Sequence, residues 1–236
     1  MGKWLKILSY IAVLGFPLSV LGTRLELFDF RVGFTGLKYT LFLAIGVFLL
    51  AVIVAIAQRK PNPATYRAAR FAAIVSLLPL VGIGSQIMTA RSVPPIHNIS
   101  TDTVDPPKFA KIAELRTALD NPLYYDAAKL ASVQQQAYPK VKTILTSMSV
   151  TNAHAKALVV AEALGWVVVS ESVTGGIIEA TETSALWGFK DDIVIRVRDV
   201  EGQAIVDLRS VSRVGQSDLG ANAKRINKFI DAFNQS

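Results

Sequence analysis

Residues 191–213, DDIVIRVRDVEGQAIVDLRSVSR, contain the pattern that decides the fold of the C-terminal part of this chain. Apolar and polar side chains alternate on both sides of Glu201-Gly202, a dipeptide suited to a tight hairpin turn. Because successive side chains of a strand point to opposite faces, the segment predicts an antiparallel hairpin with one apolar and one charged face. A tight turn at this dipeptide sets Arg196 opposite Asp207.

The charged face of this hairpin carries more arginines than carboxylates. In the predicted register Asp192 lies diagonally near Arg209 and Arg213. Antiparallel sheets commonly leave one face in water, so cross-strand ion pairs on a solvated face are one interpretation. A surface that binds an anion or a partner is the other, because planar guanidinium groups suit carboxylates and phosphates.

Turn residues and apolar periodicity on both sides of the hairpin predict a domain in the order β-α-β-β-β-β-α, preceded by two further helical segments. Thr151 or Asn152 can cap the first helix of this order, and Ser217 or Asp218 can cap the last. The last helix has an apolar stripe that needs a sheet to cover, so we expect an α+β domain whose antiparallel sheet is covered by helices on one face. The predicted strands are Val141–Met148, Trp166–Ser172, Ile177–Thr183, Asp191–Arg198 and Gln203–Arg213, and the predicted helices are Lys108–Leu119, Tyr124–Gln136, 151–164 and Leu219–Phe233.

Three uncharged apolar stretches lie in the first 91 residues: Ile7–Thr23, Tyr39–Gln58 and Phe71–Ala90. At 1.5 Å per residue each can cross a hydrocarbon core of about 30 Å, the first only just. Pro17 should kink the first helix or end it early. No A-x-A-like cleavage site follows it, so we expect an uncleaved helix and not a signal peptide. The absence of ionisable residues within the stretches argues against a channel or transporter formed by this chain alone.

The basic excess of the chain lies beside these stretches. Residues 1–91 hold 10 Lys or Arg against 2 Asp or Glu, whereas residues 92–236 hold 15 against 16. This distribution argues against a nucleic-acid-binding face. Six basic residues lie at the N-terminus and between the second and third stretches, against four on the opposite side. We therefore expect the N-terminus in the cytoplasm and the C-terminal domain outside it, in the periplasm if the cell has two membranes.

Two Pro pairs mark residues 92–107 as an extended, Pro-rich linker. It separates a three-span membrane domain, residues 1–91, from an extracytoplasmic α+β domain, residues 108–236. The chain has no cysteine and two histidines, which argues against disulfides, thiol catalysis and a metal site of cysteine or imidazole ligands. It also lacks a phosphate loop and a nucleotide-binding glycine fingerprint, so no cofactor is expected.

A longer motif joins GFKDD at residues 188–192 to DLRSVSRVGQSDLGANAKR at residues 207–225. It resembles the bacterial family called domain of unknown function 1499, whose pattern is similar to G-F-x-D-D followed by D-x-R-S-x-S-R-x-G-x-S-D-x-G-x-N-x-x-R. The resemblance covers roughly residues 94–236 and is to the form with a membrane-embedded N-terminal part. This chain lacks the cysteine found near the start of other members. The resemblance implies the fold and no established activity.

Polar residues of the motif are expected to meet at one corner of the domain. One interpretation is a structural lock of carboxylate–arginine hydrogen bonds, and the other is a surface that binds an anion or a partner. We expect Arg209, deep in its strand beside Asp192, to act as a lock, and Arg213, at the strand end, to contact a partner. The candidate binding residues are Asp191, Asp192, Arg209, Arg213, Asp218, Asn222 and Arg225.

The function expected from these features is that of a membrane-anchored extracytoplasmic binding or accessory protein. Its expected partners are membrane lipids and either a membrane protein or a second copy of the chain. The alternative is an envelope enzyme in which Asp191 and Asp192 form a general acid/base pair and the arginines bind an acidic small molecule. No activated nucleophile is evident, because Ser210 and Ser212 point to the core face and His154 is distant in sequence.

Overall fold

The computed structural model describes residues 1–235, so Ser236, the last residue of the predicted C-terminal domain, lies outside the described residues. The chain forms two compact units. The first contains residues 1–91 and 185–188, and the second contains residues 92–184 and the chain from Phe189 onward.

Three helices make up most of the first unit: α1 (Gly2–Arg24), α2 (Phe30–Gln58) and α3 (Pro63–Ser92). Each is long and apolar enough to cross a membrane, as the three uncharged stretches predict. Pro17 lies inside α1, which continues to Arg24, so the proline does not end this helix early.

Small residues allow α1 and α2 to pack closely. A Cβ atom on Gly33 would lie 2.2 Å from the hydroxyl oxygen of Thr23, so this approach requires glycine. Leu5 of α1 is buried against Ala51 of α2 and Ala72 of α3, which places all three helices around one apolar cluster.

The second unit is an α+β domain with an antiparallel sheet, which confirms the predicted fold class. The sheet has the order β1-β6-β5-β4-β3, and β2 pairs with the far part of β6. Its elements are β1 (Asn98–Ser100), α4 (Lys111–Leu115), α5 (Ala127–Ala137), β2 (Ile144–Thr146), α6 (Val150–Ala163), β3 (Val167–Ser172), β4 (Ile177–Thr183), β5 (Lys190–Val200), β6 (Gln203–Ser212) and α7 (Ala221–Gln235).

The central hairpin has the predicted turn and register. Glu201 and Gly202 have φ angles of 55° and 82°, the left-handed conformation that a two-residue type I′ turn requires. The turn sets Val200 opposite Gln203, and it follows that Arg196 pairs with Asp207.

Helices α6 and α7 cover the apolar face of the sheet. Ile193, Ile195 and Leu208 are fully buried there, together with side chains of the predicted stripe on α7. The ring of Phe229 on α7 stacks on Trp166 with 5.5 Å between centroids. This apolar layer is the core of the domain. Helix α6 begins after Ser149, whose side chain accepts a hydrogen bond from Asn152, so the cap lies two or three residues before the predicted ones.

The opposite face of the sheet is covered by protein, and the expectation of a solvated face is wrong. Residues 101–126, here called the cover segment, lie over it. Ile112 and Tyr125 of the cover segment are buried, as are Val194 and Val211 on this face of the sheet. The segment lacks a long amphipathic helix, since α4 spans only Lys111–Leu115, and the sequence pattern therefore did not indicate a second layer.

Part of the predicted linker also belongs to the sheet. Residues 98–100 form β1 and pair with β6, Ile99 lying opposite Ser210. Gln134 of α5 closes the outer edge of this short strand, because its side-chain amide bonds both the N–H and the carbonyl oxygen of Ser100. The middle of the predicted linker is therefore extended, as expected, but it is a strand that pairs with β6.

Candidate functional site

Asp191 and Asp192 lie on opposite faces of the sheet. They are adjacent in β5, and successive residues of a strand point in opposite directions. Asp191 faces α7, whereas Asp192 faces the cover segment. The predicted corner is thus divided by the sheet into two separate groups of polar side chains.

The helix-side cluster joins β4, β5 and β6 to the first turns of α7. Arg225 donates to the carboxylate of Asp191 at 2.6 Å, to the hydroxyl of Ser210 at 3.0 Å and to the carboxylate of Glu182. Asn222 accepts from Ser210 at 2.6 Å and donates to Ser212 and to the carbonyl oxygen of His97. Asn222 and Arg225 are buried, so this cluster fixes α7 on the sheet. Its members are Glu182, Asp191, Ser210, Ser212, Asn222 and Arg225.

Asp218, one of the two predicted cap residues, caps the start of α7. Its carboxylate accepts from the backbone N–H groups of Gly220 at 2.7 Å and Asn222 at 2.9 Å. Burial raises the pKa of Asp218, and the two backbone hydrogen bonds offset only part of that rise. The carboxylate is committed to the helix end and does not reach the Asp192 group.

The cover-side cluster consists of Asp192, Thr181, Arg213 and Arg116 of the cover segment. Arg213 donates to both oxygens of Asp192 at 2.9 Å, Arg116 donates at 2.8 Å and Thr181 at 2.7 Å. Four hydrogen bonds saturate the carboxylate, which is fully buried. Burial alone would raise the pKa of Asp192, but the hydrogen bonds from Arg213, Thr181 and Arg116 lower it below the ordinary value.

Arg116 links this carboxylate to the cover segment. Besides Asp192, it donates to the carbonyl oxygen of Asn121 at 2.6 Å and to that of Val211 at 2.9 Å. Asn121 in turn donates to the carbonyl oxygens of Ser212 and Gly215 through its side chain. Arg116 and Asn121 were not among the candidate residues, because no periodic pattern marks them. The sequence feature that could have pointed to this contact is the Asn121-Pro122 pair.

Arg209 is buried without a carboxylate partner among residues 1–235, and its predicted pairing with Asp192 is wrong. It donates to the side chain of Asn98 at 3.0 Å and to the carbonyl oxygens of Pro107 and Leu123. Its guanidinium carbon lies 5.5 Å from the ring centre of Phe109 and 5.6 Å from that of Tyr125. Burial lowers the pKa of Arg209 to about 10. Arg209 therefore does hold the structure together, but through carbonyl oxygens and aromatic rings.

A third polar group lies beside the hairpin turn. The fully buried carboxylate of Asp207 accepts from Arg196 at 3.1 Å and from Thr143 at 2.6 Å. Arg196 also donates to Asp102 and Asp105 of the cover segment. The predicted cross-strand pair of Arg196 and Asp207 is therefore formed. Two carboxylates of the cover segment, Asp102 and Asp105, also bind Arg196.

Glu179 on β4 fixes the start of α4. Its buried carboxylate accepts from the backbone N–H groups of Ala110, Lys111 and Ile112, the last at 2.6 Å. Helix starts leave such N–H groups without partners, and an anion is favoured there. No local sequence pattern marks this contact, because the carboxylate and the backbone N–H groups are 67 residues or more apart in the chain.

A family model described as "Protein of unknown function (DUF1499)" matches residues 98–233, more than half of the chain. The chain belongs to the DUF1499 family. The match begins at β1 and ends within α7, so it includes both layers that cover the sheet. No curated protein matches the chain in a sequence search.

In this chain most polar side chains of the DUF1499 motif form hydrogen bonds and ion pairs inside the domain. Of the seven candidate residues, Arg213 and Asp218 remain partly exposed and the other five are buried. Within residues 1–235 no group of three or more His, Asp or Glu side chains is placed to hold a metal ion. That these seven residues bind a partner stays a prediction. Among them, only Arg213 and Asp218 have side chains that solvent or a partner can reach.

Proposed function

We propose that this protein is a membrane-anchored binding or accessory protein whose α+β domain binds a membrane-protein partner outside the cytoplasm. The main support is that the carboxylates of Asp191 and Asp192 are both engaged in hydrogen bonds within the domain. Asp192 accepts four hydrogen bonds and Asp191 is paired with Arg225, so neither is free to move a proton. Their positions on opposite faces also argue against the alternative of an acid/base pair in an envelope enzyme.

The proposed orientation rests on the loop charges. Arg59, Lys60, Arg67 and Arg70 all lie in the connection between α2 and α3 or in the first turns of α3. Basic residues in short loops stay in the cytoplasm, which favours a cytoplasmic N-terminus and a periplasmic domain in a bacterial inner membrane.

The surface we propose for the partner is the outer side of the cover segment around Leu119 and Tyr124. These side chains are 83% and 77% exposed in a short connection between α4 and α5. The N–H of Asn121 between them donates to the carbonyl oxygen of Arg213 at 2.6 Å, so the partly exposed Arg213 adjoins the same surface. Tyrosine and arginine beside an apolar side chain are typical of interface centres.

The test is recovery of a partner by the tagged full-length chain, purified in mild detergent and analysed by mass spectrometry. We compare wild type, Leu119→Ser with Tyr124→Ser, and the control Val104→Ser, which alters another highly exposed apolar residue of the cover segment. We expect one membrane protein to be recovered with wild type and control, and to be lost with the double variant. Equal recovery in all three would contradict the proposed surface, and turnover of a defined small molecule would favour the enzyme.

A further inference from the structure

A groove of about 460 Å³ runs between α2 and α3 at the end where these helices are connected. One wall extends from Val52 of α2 to Arg59, the residue that follows this helix, and the wall on α3 extends from Tyr66 to Ile74. On each wall the lining residues recur at steps of three or four positions, with one adjacent pair per wall (Ala55-Ile56 and Ala73-Ile74), so each wall is one continuous face of a helix. The volume is in the range of sites that hold small molecules.

Two of the eight residues that line the groove are basic, and the other six carry no charge. The basic residues are Arg59 and Arg70, and both are exposed. Arg70 lies over the ring of Tyr66, with 5.6 Å between the guanidinium carbon and the ring centre. Val52, Ile56 and Ile74 continue the groove along the part of the helices that is apolar enough to lie in a membrane.

The helical unit supplies no anion for these arginines. Glu26 and Asp29 are the acidic residues in the first 91 positions, and both lie in the connection between α1 and α2. That connection is at the opposite end of α2, a helix of 29 residues and therefore about 43 Å long. The negative charge that complements Arg59 and Arg70 must come from outside this unit.

We propose that the groove is a binding site for an anionic phospholipid. The phosphate lies between Arg59 and Arg70, which donate hydrogen bonds to its oxygens, and an acyl chain lies along Val52, Ile56 and Ile74. Basic pockets between membrane-spanning helices suit anionic headgroups, and guanidinium groups match phosphate geometry. The site is independent of the proposed partner surface, because its lining belongs entirely to α2, α3 and the residue that follows α2.

The test is native mass spectrometry of the full chain in detergent, titrated with phosphatidylglycerol or with phosphatidylcholine. The variant Arg59→Gln with Arg70→Gln removes the two groove arginines. The matched control, Lys60→Gln with Arg67→Gln, removes the same charge from two exposed positions that do not line the groove, one in the connection and one in the first turns of α3.

We expect wild type and control to bind phosphatidylglycerol with affinities within about threefold, and the groove variant to bind it about 30-fold more weakly, since each basic residue near a phosphate contributes about 1 kcal/mol. Equal loss in both double variants would overturn the proposal, because the lipid would then respond to surface charge alone. Equal binding of phosphatidylcholine, or a dimer that depends on Arg59 and Arg70 in place of lipid binding, would also overturn it.

Discussion

Different interactions stabilise the two faces of the sheet: mainly apolar packing on one face, and hydrogen bonds to buried charges on the other. On the helix-covered face, Ile193, Ile195 and Leu208 pack against apolar side chains of α6 and α7, and the stabilisation scales with the area removed from water. On the cover-side face, Asp192 and Glu179 are buried charges fixed by individual hydrogen bonds. The helix-side cluster at the start of α7 is the polar exception on the helix-covered face. Hydrogen bonds depend on particular partners, so we expect a substitution among the buried charges of the cover-side face to cost more than one among these apolar side chains.

One reporter serves for all unfolding measurements. Trp166 is buried against Phe229, and the chain has three tryptophans. Replacing Trp4 and Trp187 by Phe leaves Trp166 as the single tryptophan, and its emission then reports on the domain alone. Urea unfolding of the full chain in detergent micelles then gives the free energy of unfolding for each variant.

The largest effect is expected from Asp192→Asn. The substitution leaves Arg116 and Arg213 without their shared carboxylate, and breaking a buried ion pair costs about 3–5 kcal/mol. The free energy of unfolding from Trp166 fluorescence measures this cost. A loss below about 1 kcal/mol would mean that water reaches the cluster.

A smaller effect is expected from Arg213→Gln. Asp192 then keeps Arg116 and Thr181, so we expect the cost of the lost charge-assisted hydrogen bonds, about 1.5–3 kcal/mol. The same unfolding measurement is paired with recovery of the membrane partner. Unchanged unfolding with lost recovery would return Arg213 to the role of an exposed partner contact predicted from the sequence.

The neighbouring position on the other face should respond weakly. Ile193 is fully buried beside Asp192 but faces α6 and α7, and Ile193→Val removes one methylene group. We expect a cost of about 0.5–1.5 kcal/mol. A cost equal to that of Asp192→Asn would contradict the difference between the two faces.

The smallest effect on the free energy of unfolding is expected when the pH is lowered. The pKa of Asp192 is lowered in the folded state, so its carboxylate contributes stability above its ordinary pKa of about 3.9. As the pH falls below that value, the unfolded chain takes up a proton first, and this contribution is lost as the pH passes through the lower folded pKa. The difference in unfolding free energy between wild type and Asp192→Asn should therefore shrink below about pH 4. A difference that is constant from pH 6 to pH 2 would contradict the lowered pKa.

The sequence predicted the helix-covered face well and the other face poorly. Strand β4 has the predicted bounds, and the Glu201-Gly202 turn gave the register of the central hairpin, because alternation and turn chemistry are local properties. The cover segment depends on contacts between distant residues, such as Arg116 with Asp192, which no local pattern reveals.

The candidate site shows the same limit. Local signals predicted Ser217 or Asp218 as the cap of the last helix, and Asp218 is the one that caps it, whereas no local signal marked Asn98, Arg116 or Glu179. Asp191 and Asp192 were placed in one corner although the alternation that predicted the hairpin assigns neighbours to opposite faces. The motif was treated as a cluster in sequence, and the sheet divides it in space.

Buried polar side chains of the sheet hold the cover segment in place, and Glu179 offers the most direct test of this role. Glu179→Gln removes the charge that faces the N–H groups of Ala110, Lys111 and Ile112. Hydrogen exchange of the full chain measures these amides directly. We predict that exchange at residues 110–112 rises at least about tenfold while the amides of α6 and α7 exchange as in wild type. Unchanged exchange at residues 110–112, or an equal rise in α6 and α7, would show that Glu179 does not hold the cover segment in this way.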